Sequence, residues 1–376
     1  MSELEQLREL VRTFAEKEIV PHLDEWERAG ELPRELHRKA ASLGLLGIGY
    51  PEQVGGSGGT ARELCAVAEE LILAGGSSGL IAGLFTHGIA LPHIIASGNT
   101  DLIDRYVRPT LAGELIGSLA VTEPGGGSDV ANLRTTARAD GDDYVVNGSK
   151  TFITSGTRAD FVTTAVRTGE PGHRGVSLLV VDTSAPGFSV TRRLEKMGWH
   201  CSDTGELSYV DVRVPRSHLV GAEGTGFRQI MHHFGNERLS LAVQACATAQ
   251  RCLMLTIPWV NDRETFGEPL VKRQVIRHRL AEMARQTMVA RSFVWSLVDR
   301  LADGETVNPV EMAIAKNTAV AACDFVVDAA VQLHGGAGYL RDSEVERHYR
   351  DARILGLGGG TTEIMNEIIA RGLLGA

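Results

Sequence analysis

Two short stretches carry the residue types best suited to holding a cofactor. They are Val121-Thr122-Glu123-Pro124-Gly125-Gly126-Gly127-Ser128-Asp129 and Asn147-Gly148-Ser149-Lys150-Thr151-Phe152-Ile153-Thr154-Ser155-Gly156. The first reads as a strand running into a glycine-rich loop, the second as a strand re-entered after an Asn-Gly turn. Three successive glycines let backbone N–H groups approach a ligand closely, because no Cβ stands in the way. Thr122 and Ser128 add hydroxyls beside them. Phe152 offers an aromatic face, with the backbone amides of Ile153 and Thr154 next to it. This set suits a flat ring system with polar edges and a phosphate tail, such as a flavin.

The pair resembles the signature of the acyl-CoA dehydrogenase family, roughly "VTEPGAGSD" followed by "NGxKxWITNG". Further strings resemble that family in its order and at its spacing. Pro51-Glu52-Gln53-Val54-Gly55-Gly56 is similar to "PExxGG", and Arg263-Glu264-Thr265-Phe266-Gly267 to "RxxFG". Gln332-Leu333-His334-Gly335-Gly336-Ala337-Gly338-Tyr339 is similar to "QxxGGxGY". Arg350-Asp351-Ala352-Arg353 followed by Gly360-Thr361-Thr362-Glu363-Ile364 is similar to the C-terminal "RDAr…GTxEI". Any one string is weak evidence, but the ordered series covers nearly the whole chain. The resemblance implies an FAD-dependent enzyme of fatty acid metabolism that oxidises an acyl-CoA thioester to trans-2-enoyl-CoA. Electrons would pass to an electron-transferring flavoprotein, and the chain would work as a homotetramer in the cytoplasm of a bacterium. It also implies cofactor contacts from Leu119, Val121, Thr122, Gly127, Ser128, Phe152, Ile153, Thr154, Thr361 and Glu363. Arg263, Phe266, Gln274, Gln332, Gly335 and Gly336 would reach the flavin across a subunit contact. Ser128, Arg238, Gly359 and Gly360 would meet the substrate. Two other activities are carried on this fold: oxidation of an acyl group tethered to a carrier protein, and flavin monooxygenation or N-hydroxylation. A catalytically silent partner subunit is a third alternative.

The implied chemistry needs a carboxylate that removes the α-proton of the thioester while the β-hydrogen leaves as hydride. The base must sit in a dry pocket, where its proton affinity rises. Donors must hold the thioester oxygen as the enolate develops. In many family members the base directly precedes the "GT" of the C-terminal motif, but here that position is Gly359. A second branch, with long-chain and isovaleryl enzymes, places a glutamate before an arginine on a bundle helix. This chain has Asn236-Glu237-Arg238-Leu239 there, and the resemblance assigns Glu237 as the base. Taken by itself, Gly235-Asn236 reads as a helix start, where the dipole favours a glutamate whatever its role. Gly359 would still supply a backbone N–H to the thioester oxygen. Its missing side chain is expected to leave room for a longer or branched acyl chain.

The elements that must position these residues fall in three blocks. Leu4, Leu7, Val11, Phe14 and Ile19 recur at helical spacing, Pro33 starts a second helix, and helical patterns cover 62–74, 80–96 and 101–112. From Ile116 to about Val220 the segments are short and β-branched, with strands at 144–146, 161–166, 176–181 and 207–214. Asp140-Gly141-Asp142-Asp143 and Asn147-Gly148 read as hairpin turns. From Gly226 the helical period returns, broken near Gly267, Asp303-Gly304, Gly335–Gly338 and Leu357–Gly360. Segregated helices, strands and helices predict an α+β chain. The expected domains are an N-terminal helical domain (1–115), a central β-domain (116–222) and a C-terminal four-helix bundle (223–376). Two departures from the family pattern stand out. Phe152 replaces a tryptophan, and Pro258 falls inside a helix leading to Arg263. Such a proline costs a hydrogen bond and about 3 kcal/mol unless the helix kinks.

Composition narrows the class further. A chain of 376 residues can bury a large core, and a net charge of −9 argues against a nucleic-acid surface. Five cysteines without a CxxC pair read as free thiols in a reducing compartment. The acidic start, Ser2-Glu3-Leu4-Glu5, lacks the apolar run of a signal peptide. The most apolar window, Gly79 to Ala96, contains Thr86, His87, Pro92 and His93 and reads as a buried helix, not a membrane span. None of the twelve histidines falls at metal-ligand spacing, so no metal is expected.

Overall fold

The computed structural model describes residues 2–375. Helix α1 (Glu3–Phe14) opens on a capping box in which Ser2 and Glu5 satisfy each other's backbone N–H groups. It widens into a π turn at Ala15–Ile19, so the first apolar stripe is not one regular helix. Helix α2 (Leu23–Ala29) follows; periodicity missed it, and Pro33 consequently caps a third helix, α3 (Arg34–Ser42). Helix α4 (Ala61–Leu73) starts from a second capping box, Thr60 with Glu63. The expected single helix over 80–96 is two, α5 (Ser78–Leu84) and α6 (His87–Ser97). At the break the Thr86 hydroxyl donates back to Ala82 O and also meets Ser155 Oγ at 2.6 Å. By length and composition residues 78–97 are apolar enough to cross a membrane, yet most of that window is buried among other elements. Two short helices, α7 (Thr100–Leu102) and α8 (Arg108–Leu111), flank another π turn and replace the expected helix at 101–112.

The central sheet has seven strands: β1 (Gly117–Ala120), β2 (Thr136–Asp140), β3 (Asp143–Thr154), β4 (Phe161–Arg167), β5 (Val176–Asp182), β6 (Phe188–Arg193) and β7 (Thr204–Pro215). Their order is β1-β4-β2-β3-β7-β6, with β5 also paired to β4. The hairpin at Asp140–Asp143 is present, with Gly141 at φ +61°. Asn147-Gly148 is not a turn. It lies inside β3, where the register against β7 shifts. The Asn147 amide bonds both ways with Asp211, and a Cβ on Gly148 would lie 2.7 Å from Thr135 Cα. The local rule for Asn-Gly was overridden by a β-bulge.

Helix α9 (Gly226–Asp262) is followed by the two-residue strands β8 (Glu264–Thr265) and β9 (Glu268–Pro269). Then come α10 (Gln274–Ala302), α11 (Pro309–His334), α12 (Glu344–Ala352) and α13 (Thr362–Leu374). Pro258 does not end α9, which continues to Asp262 with Val260 fully buried. The chain thus has a helical N-terminal domain, a central curled sheet and a helical C-terminal domain. All five cysteines are buried and unpaired.

Polar clasps join these parts. Asp203, at the start of β7, is buried and accepts from Thr157 N and from Arg158 Nε at 2.6 Å. Arg158 donates onward to the carbonyls of Leu32 and Gly83 in the helical domain. A second clasp uses the C-terminal motif: Asp351 Oδ1 accepts from Trp199 N at 2.6 Å, beside buried Glu27, which accepts from Cys201 N. Removing one partner of a buried ion pair typically costs about 3–5 kcal/mol. Arg158→Met should therefore lower stability by about 3 kcal/mol in urea denaturation. A loss below about 1 kcal/mol would reduce this clasp to the rank of a surface pair.

Candidate active site

Strand β1 delivers Leu119 and then, just past its end, Val121 and Thr122 to the start of the glycine-rich loop. Buried Lys150 fixes this loop from below: its Nζ donates to Val121 O at 3.0 Å and to Glu123 Oε1 at 2.9 Å. The Glu123 carboxylate also accepts from Arg134 N and Thr135 N. Burial pushes the Lys150 ammonium down to about 8, against the pull of Glu123. Burial also works against the Glu123 carboxylate, but Lys150 and the two N–H groups outweigh it and hold that group below its ordinary value. Residues 124–129, including Gly127 and Ser128, are exposed. None of the three glycines has a positive φ, and a Cβ on Gly125 or Gly126 would meet nothing within 4 Å. Nothing inside the chain therefore requires glycine at 125 and 126. Close approach by a group from outside does.

Phe152 stands at the second register shift of β3, between Lys150 and Ile153. Its backbone is left-handed (φ +60°) and its ring is 68% exposed, while Thr151 and Ile153 on either side are buried. Such a bulge re-aims a side chain at the edge of a site. An aromatic ring held in the open against its propensity, beside half-buried Thr154, fits a stacked planar ligand. These features suit a flavin held by Thr122, Gly127, Ser128 and Phe152.

Glu237 lies in the fourth turn of α9, not at a helix start, so the capping alternative falls away. One turn earlier, Phe234, Met231 and Ile230 pack in the same cluster as Leu119 and Val121, which brings this part of α9 against the loop. Glu237 is half-buried, and loss of water raises its carboxyl above the ordinary range, with Lys316 and Arg238 pulling the other way. Facing it is the turn after Ala352, in which Gly359 and Gly360 adopt φ +62° and +96°. A Cβ on Gly359 would lie 3.6 Å from Glu237 Oε1 and 2.8 Å from Leu241 Cδ1. The space vacated at position 359 is filled by Glu237 and Leu241, so it does not itself supply room for a longer acyl chain.

Arg238 forms no ion pair among the described residues. Its Nε donates to Gly359 O at 3.1 Å. Thr361 caps α13, its hydroxyl accepting from Ile364 N, with Glu363 in the first turn. Sequence reasoning missed Lys316, a fully buried lysine of α11. Its Nζ donates to Gly358 O at 2.5 Å and to Gly360 O. The available signal was a lone cation on the stripe Met312, Ala315, Ala319 and Cys323, which turns into the core. Among the described residues no three His, Cys, Asp or Glu side chains stand together as a metal cage.

The remaining candidate residues lie elsewhere. Arg263 ends α9, and at 1.5 Å per residue it is about 39 Å along the axis from Glu237. Trp259 stacks on His334 at 4.9 Å and donates to Leu333 O, which joins this end of α9 to the end of α11. Arg263, Phe266, Gln274, Gln332, Gly335 and Gly336 are all exposed there, Phe266 at 97%. They form a second polar and aromatic surface that cannot share one ligand with Glu237 of the same chain.

Family models for the N-terminal, middle and C-terminal domains of acyl-CoA dehydrogenases match residues 1–114, 118–212 and 224–374. A crystal structure of a probable acyl-CoA dehydrogenase from Mycobacterium abscessus is similar with a TM-score of 0.98 and 64% identity, covering 99% of each chain. The mitochondrial long-chain specific acyl-CoA dehydrogenase of Sus scrofa is 39% identical over 375 residues, 98% of this chain and 86% of that one. A probable acyl-CoA dehydrogenase of Bacillus subtilis is 36% identical over 374 residues, 99% and 98% of the two chains. With three consecutive domain matches and relatives that run end to end, the chain belongs to the acyl-CoA dehydrogenase family of FAD-dependent flavoprotein oxidoreductases.

Proposed function

We propose that this enzyme oxidises an acyl-CoA thioester to the trans-2-enoyl thioester, with Glu237 as the base that takes the α-proton. One observation carries the reading. The Glu237 carboxylate lies against the point where a side chain at position 359 would begin, so the two places where the family keeps its base converge on one spot. Burial makes Glu237 a stronger base than an exposed glutamate, and its residual access lets a substrate reach it. Gly359 N–H is the donor for the thioester oxygen, where enolate charge develops. Ser128, Arg238 and Gly360 border the same space. FAD, held by Leu119, Val121, Thr122, Gly127, Ser128, Phe152, Ile153 and Thr154, supplies the acceptor for the β-hydride. An electron-transferring flavoprotein then takes the electrons.

The surface at the far end of α9 serves the cofactor of a neighbouring copy, in a homotetramer. The distance along α9 supports this, as does the exposure of Phe266. Phe266→Asp should weaken self-association and reduce bound flavin together, read by sedimentation and by flavin absorbance. Loss of neither would return this surface to the solvent.

Anaerobic titration with acyl-CoAs of graded length and branching should bleach the wild-type flavin. Glu237→Gln should bind flavin normally but bleach at least 10²-fold more slowly, the range a positioned base contributes. Equal bleaching by both proteins would remove Glu237 from the chemistry. Normal flavin that no acyl-CoA reduces would point to an acyl group on a carrier protein. The base must be ionised to act, so activity should fall as pH drops through its raised pKa. The acid limb of the rate should therefore lie above the ordinary glutamate value near 4.3.

A further inference from the structure

Three consecutive carbonyls of the turn facing Glu237 are each held by a cation from a helix. Lys316 Nζ takes Gly358 O and Gly360 O, and Arg238 Nε takes Gly359 O between them. The Gly358 C=O and the Gly359 N–H belong to one trans peptide plane and point in opposite directions. Anchoring that carbonyl on Lys316 therefore aims the Gly359 N–H away from α11. Glycine alone leaves the turn free to swivel, since both Gly359 and Gly360 occupy backbone regions open to glycine at little cost. The turn owes its direction to these cations. A buried ammonium is also expensive, and hydrophobic side chains could fill the same place on α11.

We propose that Lys316 is a positioning residue of the dehydrogenation: it holds the Gly358 and Gly360 carbonyls so that the Gly359 N–H faces the thioester oxygen, and it is the cation that a second helix brings to Glu237. This rests on the reading of Glu237 as the base. The groups that bear on Glu237 are few. Arg238 is its neighbour on α9, and Lys316 of α11 holds Gly358 and Gly360, on either side of the Gly359 that lies against the Glu237 carboxylate. His233, one turn earlier on α9, and His93 on α6, its ring partner at 4.6 Å, are pushed down by burial to about 4 and about 3. Burial thus disfavours a charge on either ring. Glu363 of α13 and Arg353 of the turn are exposed, and Glu123 is tied to Lys150. Lys316 is therefore the nearby cation from a second helix.

The test compares Lys316→Met, which keeps the stem and removes both donor and charge, with Lys316→Gln, which keeps a donor. Flavin content and melting temperature are recorded first, then the pH profile of anaerobic flavin reduction by a reactive acyl-CoA. An opposite charge nearby lowers a carboxyl pKa, so its removal should move the acid limb upward by about one unit in both variants. K316M should also be slower by about tenfold to a hundredfold on the plateau, as expected for a misaimed donor, and K316Q less so. Flavin content should stay normal. An acid limb unmoved in both variants, or failure of both to fold, would overturn the proposal and leave Lys316 as a structural lysine. Glu237→Gln run alongside separates the two readings. Full activity in E237Q overturns both, whereas inactive E237Q with an unmoved limb in K316M overturns this one alone.

Discussion

One rigid rod sets the geometry of this enzyme. Helix α9 contributes Phe227 and Ile230 to the core between the sheet and α6–α8, Ala247 to the N-terminal core, and a long buried run to the C-terminal core. An α-helix cannot stretch, so a fixed rise per residue holds Glu237 at the sheet and Arg263 at the opposite end. Every other part of the site is placed relative to this rod. The residues that flank the glycine-rich loop, Val121 and Val130, share a core cluster with its early turns, the Gly358–Gly360 turn closes over Glu237, and the end of α11 is stapled to its far end through Trp259 and His334.

Around that rod the site is held by buried charges that tie down its backbone. Lys150 with Glu123 under the loop and Lys316 with Arg238 under the turn play equivalent parts. Both turns are rich in glycine, which gives close approach to a ligand but little stiffness. Each is stiffened by a buried lysine: Lys150 donates to Val121 O and the Glu123 carboxylate, and Lys316 to Gly358 O and Gly360 O. Flexibility needed for ligand contact is thus confined to side-chain-free backbone whose carbonyls are tied down.

Much of this was legible in the sequence, because contact with a cofactor demands particular residues at particular spacings. The glycine loop could be named from its residue types, whereas Glu237, Gly359 and the group from Arg263 to Gly336 could be named only because their strings resemble the family's. The segregation of helices and strands gave the α+β class directly. Partners and local irregularities were not legible. Periodicity shows which face of α11 turns inward but not that Lys316 on that face meets two glycines, Gly358 and Gly360, distant in sequence. The Asn147-Gly148 pair obeys turn statistics, yet long-range pairing of β3 with β7 absorbs it as a bulge. The same pairing pushes Phe152 into a left-handed backbone that no local pattern announces. Pro258 lies inside α9 as its place in the sequence suggested, and packing at Trp259 and Val260 carries the helix past it.

The length of α9 has a genetic consequence. If the surface near Arg263 completes a neighbour's cofactor site, the two ends of the rod belong to two different active sites. With Glu237 as the proposed base, a chain damaged there still offers an intact far end, and a chain damaged at Phe266 still offers an intact Glu237. Coexpressed in one cell, two such defective alleles would build mixed assemblies in which some sites draw both good halves. Defects at the two ends of one helix would then complement each other, whereas two defects at the same end would not.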